Sequence, residues 1–153
     1  MTSPKSQITQ QQTDNAAIVR ELFDRLVKGD IGGAADLLDE NVEWENASLP
    51  TVRGRERVGR ALKLSTRLQN AGLEIYFHAI SVEGETVLSE RTDVLTFGPM
   101  RWQFWVCGRF DLRDGKIVLW RDYFDFVNVT LALIRGLVGI IVPAVRARPP
   151  VVS

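Results

Sequence analysis

Asp122 stands where a core residue belongs. In the segment Lys116-Ile117-Val118-Leu119-Trp120-Arg121-Asp122-Tyr123-Phe124-Asp125, strand alternation puts it on the face of Val118, Trp120 and Phe124. A buried, unpaired charge costs on the order of several kcal/mol, so this carboxyl must be paired, hydrogen-bonded or protonated. A second strand-like run offers the partner: from Val87 to Phe97, Arg91 and Asp93 share a face with Val87, Leu95 and Phe97. A guanidinium two residues from one carboxylate can bridge to a second on another strand, and Asp122 fits. The alternative is an exposed Arg-x-Asp rung worth about 0–1 kcal/mol, against which the apolar face of Asp122 weighs. An Asp-Arg-Asp set has a chemical use, since one carboxylate can act ionised as a base while the other carries a proton as an acid. Asn46, beside Trp44, is the remaining inward-facing polar group. Its amide oxygen can accept a hydrogen bond from a water that also donates to Asp122, although an Asn leading into Pro50 equally suits a turn.

Other routes lack residues. The lone His78 cannot build a metal cluster and reads as a packed or edge histidine. The single Cys107 excludes an internal disulfide, and without a placed histidine base it reads as a small hydrophobe. No Gly-x-Ser-x-Gly elbow, Walker loop or dinucleotide fingerprint occurs. No metal or cofactor is expected.

The elements that must position these side chains follow from periodicity. Asp14 to Lys28 carries a helical stripe of Ile18, Val19, Leu22, Phe23 and Leu26, with Thr13 or Asp14 as cap and Gly29 as stop. Asp30 to Leu38 repeats the pattern in miniature. Val42, Trp44 and Asn46 then face one way in a short strand ending at Pro50, and Gly54 to Leu68 reads as a third helix with Val58, Ala61, Leu62 and Leu68 as its stripe. Strands are expected at 73–82, 87–97, 101–112 and 117–125, joined by Glu83-Gly84-Glu85, Gly98-Pro99 and Arg113-Asp114-Gly115. Such short turns imply antiparallel neighbours. Helices first and a meander of strands afterwards predict an α+β fold, a curved sheet around a pocket plugged by the early helices.

At 153 residues and 45% hydrophobic content the chain suffices for one domain, placed at 13–142. Residues 1–12, polar and without an apolar run, read as a disordered arm rather than a targeting segment, and 143–153 as a flexible tail. Lys+Arg 19 balances Asp+Glu 19, which removes a general attraction to nucleic acid or anionic membrane and leaves small molecules and protein partners. A reducing, cytosolic home is the default for such cysteine usage. The apolar stretch 126–142 is too short for a span, is interrupted by Arg135, Gly136 and Gly139, and stops at Pro143. It reads as a helix covering the mouth of the core or a dimer partner, with membrane-surface contact near Arg146 and Arg148 as the alternative.

Glu90-Arg91-Thr92-Asp93-Val94-Leu95, followed later by Gly115-Lys116-Ile117-Val118-Leu119-Trp120-Arg121-Asp122-Tyr123-Phe124-Asp125, resembles the limonene-1,2-epoxide hydrolase family. The resemblance covers the first helix through Asp125, and its layout is that of the wider group resembling nuclear transport factor 2 (NTF2-like). It implies one-step hydration of a small lipophilic epoxide, with Asp122 as base on water, Asp93 as proton donor to the epoxide oxygen and Arg91 bridging them. It also implies a water-holding role for Asn46 and a homodimer. One position departs: at Trp44 the family pattern has a tyrosine whose hydroxyl helps to hold the water, whereas indole can only donate. Ketosteroid-isomerase-like and polyketide-cyclase-like enzymes, and non-catalytic binding modules, use the same scaffold and are the rival readings.

Overall fold

The computed structural model describes residues 4–69 and 72–152. In chain order they form α1 (Pro4–Val27), α2 (Ile31–Asp36), β1 (Leu38–Asn46), β2 (Val52–Arg53), α3 (Arg55–Gln69), β3 (Gly72–Glu83), β4 (Thr86–Phe97), β5 (Met100–Arg113), β6 (Lys116–Tyr123) and α4 (Phe126–Ile141). The strands make one mixed sheet in the order β2-β1-β6-β5-β4-β3. The four long strands pair antiparallel in sequence order, as their short turns require. β1 closes the other side by pairing parallel with β6, setting Trp44 opposite Trp120 and Asn46 opposite Asp122.

The concave face of this sheet is packed by α1. Val19, Leu22, Phe23 and Leu26, at i, i+3, i+4 and i+7, are all buried and join Phe110, Ile117 and Trp120 in the core. Phe23 meets Phe77, Phe110 and Trp120 edge-on at centroid distances of 5.5, 5.8 and 5.7 Å. Val58 and Leu62 of α3 are buried in the same core. The side chain of Leu68, the last residue of the expected stripe, lies outside the described side chains.

Several boundaries differ from expectation. The first helix begins at Pro4, so residues 4–12 are helical rather than a disordered arm, and neither Thr13 nor Asp14 is its cap. Glutamine is a good helix former, and Gln10 Nε2 donates to Asp14 Oδ1 at 2.9 Å one turn on, which supports the extension without any apolar stripe. Residues 1–3 lie outside the described residues. Leu38 belongs to β1, not to the short helix, and β1 stops at Asn46 rather than Pro50 because Ala47 turns into the left-handed region at φ 40 and Leu49 N closes back on Asn46 O. β6 ends at Tyr123 because Asp125 caps α4, its carboxylate accepting from Asn128 N at 2.9 Å.

The C-terminal stretch forms α4 at the pocket mouth. Gly136 lets it approach β5, since a Cβ there would stand 2.7 Å from the Arg101 carbonyl oxygen. The tail packs back instead of floating free: Arg146 Nε donates to Gly139 O at 2.7 Å, Gln103 Nε2 donates to Arg148 O at 3.1 Å, and Ala147 is buried. No helix among the described residues is long and apolar enough to cross a membrane.

Candidate active site

Arg91 sits at the centre of the concave face with 1% of its side chain exposed. β4 alternation aims it inward, and its Nε and Nη2 donate to Asp93 Oδ1 and Oδ2 at 2.8 and 3.3 Å. Nη2 also lies 2.8 Å from Asp122 Oδ1, contributed by β6 two strands away. That contact is a charge attraction off the hydrogen-bond line, so Oδ1 keeps no hydrogen-bond donor. Asp122 Oδ2 is held instead by the Trp120 indole, whose Nε1 donates at 3.0 Å. The guanidinium is sandwiched from the helical side by Phe23, with Cζ 4.4 Å from the ring centroid.

Gly108 makes this packing possible. It faces Ser89 on one neighbouring strand and Asp122 on the other, and a Cβ on it would come within 2.5 Å of Arg91 Nη1 and 2.8 Å of Ser89 Oγ. Only a residue without a side chain leaves room for the guanidinium over β5.

Electrostatics follow from burial. It pushes the Asp93 carboxyl up to about 6; the Arg91 cation opposes this and the neighbouring Asp122 reinforces it. Burial likewise raises Asp122, opposed by Arg91 and by the Trp120 hydrogen bond. Arg91 loses solvation, but the two carboxylates outweigh that and hold it firmly charged. Two carboxyls around one cation titrate together, with apparent values belonging to the pair.

These groups line the floor of a cavity of about 420 Å³. Its walls are apolar, with Leu26, Leu73, Ile75, Leu95, Phe104 and Phe126 among them. Asn46 and Trp44 also line it, Asn46 across the strand pair from Asp122. Trp44 Nε1 is buried without an acceptor, and the ring lies 5.2 Å from that of Trp120. At the mouth, Trp102 Nε1 donates to Val129 O at 3.0 Å and ties the first turns of α4 to the sheet.

Every residue expected at the site thus lines one cavity: Arg91, Asp93 and Asp122 in contact, Asn46 and Trp44 beside them. His78 and Cys107 do not line it; His78 Nε2 pairs with Thr92 Oγ1 at 2.8 Å, and burial pushes the Cys107 thiol up, away from the reactive thiolate. Sequence reasoning missed Gly108, the Phe23 contact and the polar role of Trp120. For Trp120 the signal was present, because alternation puts it two residues from Asp122 on one face, within reach of its carboxylate.

A curved mixed sheet plugged by a long helix, with α+β order and a buried pocket, defines the NTF2-like class. A Burkholderia pseudomallei NTF2-like protein has that fold with a TM-score of 0.68 at 17% identity, over 78% of this chain and 97% of its own. The model of the limonene-1,2-epoxide hydrolase catalytic domain matches residues 13–135, and the chain belongs to that family. The epoxide hydrolase EphG of Mycobacterium tuberculosis is 44% identical over 111 residues, 72% of each chain. A solved M. tuberculosis LEH-like epoxide hydrolase superposes with a TM-score of 0.84 at 37% identity, over 91% of this chain and 98% of its own.

Proposed function

We propose that the protein hydrates a lipophilic epoxide to a vicinal diol in one step. The observation that carries this is an Asp-Arg-Asp set with perturbed carboxyls at the floor of an apolar cavity, in a chain of this family. Asp122 takes a proton from a water whose oxygen attacks one ring carbon. The C–O bond at that carbon breaks, and Asp93 protonates the departing oxygen. A later proton transfer from Asp122 to Asp93 restores the starting state, so water is the one species consumed. No ester to the protein is needed, and attack from behind inverts the carbon.

The Asp122 Oδ1 atom supports its role as acceptor, because it carries a lone pair with no hydrogen-bond donor. Asn46 can accept from the same water, and Trp44, which lines the same cavity and whose buried N–H has no acceptor, is the group that would donate to it. For Asp93, Oδ2 is the more loosely held oxygen at 3.3 Å and is the place for the proton delivered to substrate. A homodimer belongs to this proposal; Leu88, Trp105 and Tyr123, each about half exposed on the convex face, support a second copy there.

A panel of lipophilic epoxides, assayed for diol, tests the reading. Diol formation that disappears in Asp122→Asn supports it; no diol from any member, with ketone isomerisation or simple binding instead, contradicts it.

A further inference from the structure

The two carboxylates around Arg91 need opposite protonation, yet Arg91 contacts both and does not by itself choose between them. It donates to Asp93 at 2.8 and 3.3 Å and lies 2.8 Å from Asp122. We propose that the indole N–H of Trp120 supplies the preference, acting as a positioning residue that makes Asp122 the ionised partner and leaves the proton on Asp93. The inference rests on the epoxide-hydration reading, in which Asp122 is the base.

Donor geometry carries it. An indole N–H can only donate, and the Trp120 bond to Oδ2 at 3.0 Å is itself buried. A proton on Asp122 Oδ2 would point at that N–H, which cannot accept it, and Oδ1 lies 2.8 Å from the Arg91 cation, so the resting carboxyl is best left ionised, with Oδ1 the atom that takes the proton from water. Asp93 differs, because its side chain is 15% exposed and opens to the cavity, where an epoxide oxygen can accept. The ring of Trp120 is 3% exposed and locked by Phe23 at 5.7 Å, Phe110 at 6.2 Å and Trp44 at 5.2 Å, so its N–H direction is fixed. The charged groups facing Asp122 are Arg91 and Asp93 of β4. The other packed elements present groups that do not titrate in the working range: Asn46 from β1, Gly108 from β5, Phe23 from α1, and Leu62 and Ser65 from α3. The direction of the Asp122 shift agrees, since the Trp120 bond works against the rise caused by burial.

The test replaces Trp120 by its benzothiophene analogue, which keeps the ring shape and loses the N–H, with Trp120→Phe as a second variant. Two quantities are read: the titration of the Asp122 carboxyl by NMR with carboxyl-labelled aspartate, assigned through Asp122→Asn, and the pH profile of kcat/KM on one epoxide. One charge-assisted hydrogen bond corresponds to about one to two pH units. Both the Asp122 titration and the acidic limb should rise by that amount, while the alkaline limb, set by Asp93 with Asp122 already ionised, stays. An unmoved Asp122 titration, or a loss of rate uniform across pH, overturns the inference. Absence of diol with the wild-type enzyme would instead defeat the epoxide reading, and the titration would still report whether Trp120 holds the Asp122 charge.

Discussion

Arg91-Thr92-Asp93 on β4 and Arg109-Phe110-Asp111 on β5 carry the same spacing and the same pair of bonds, Nε to Oδ1 and Nη2 to Oδ2. Their surroundings are opposite. The first points to the concave face with Arg91 1% exposed, beside a third charged partner; the second points to the convex face with Arg109 41% exposed, and Asp111 takes its further bond from the Thr86 hydroxyl. A short Arg-x-Asp sequence is therefore no signature of a site. What makes one is the face it lies on and the second carboxylate that the fold delivers to it. Solvent screens the outer pair, while burial pushes the inner carboxyls up.

The largest difference between the two pairs is expected in turnover. Asp122→Asn or Asp93→Asn should each lower kcat by ~10²–10⁴-fold, the usual worth of a general acid or base, while Asp111→Asn leaves kcat unchanged within error. Steady-state kinetics on one epoxide checks all three. Either inner variant keeping more than about a tenth of wild-type activity would remove the assigned role.

Next in size is Gly108→Ala. The added methyl meets Arg91 Nη1 and displaces the guanidinium from both carboxylates; misplacing reacting groups by about 1 Å costs roughly 10²-fold in rate. Overpacking there should also cost about 1–3 kcal/mol in denaturant unfolding. Full activity in this variant would mean that the bridge tolerates rearrangement.

The inner pair should also make stability depend on pH. Asp93 is raised in the folded protein from 3.8 to about 6, so its contribution to stability is fully present below about pH 4 and lost as pH rises through 6. Unfolding free energy of the wild type relative to Asp93→Asn should fall by on the order of 3 kcal/mol across that window.

The smallest effect belongs to Trp44, which carries no charge. Trp44→Tyr supplies a donor and an acceptor on a smaller ring and should keep or raise turnover while admitting bulkier epoxides; Trp44→Phe loses the polar contact and should lower it. If the Phe variant matches wild type on every epoxide, Asn46 and Asp122 hold the water unaided.

The alternation that separates the two pairs was legible in the chain itself, because Val87 and Leu95 flank Arg91 on its face and a strand of period two has no other way to place them. Turn residues made the antiparallel run of β3 to β6 legible too. The parallel pairing of β1 with β6 was not, since no turn links them and register across 76 residues is set by packing. The helical start at Pro4 escaped because its exposed polar residues carry no periodic stripe. Alternation also brought Trp120 and Asp122 to one face, but whether the indole N–H reaches the carboxylate depends on a rotamer fixed by Phe23, Phe110 and Trp44, which come from three other elements.

The central claim is that the inner pair and Asp122 activate water directly. A single turnover with enzyme in excess, run in heavy-oxygen water on a lipophilic epoxide, tests it most directly. The account predicts that the diol of that first turnover carries the solvent label; an unlabelled diol, its new oxygen drawn from a protein carboxylate, would contradict it.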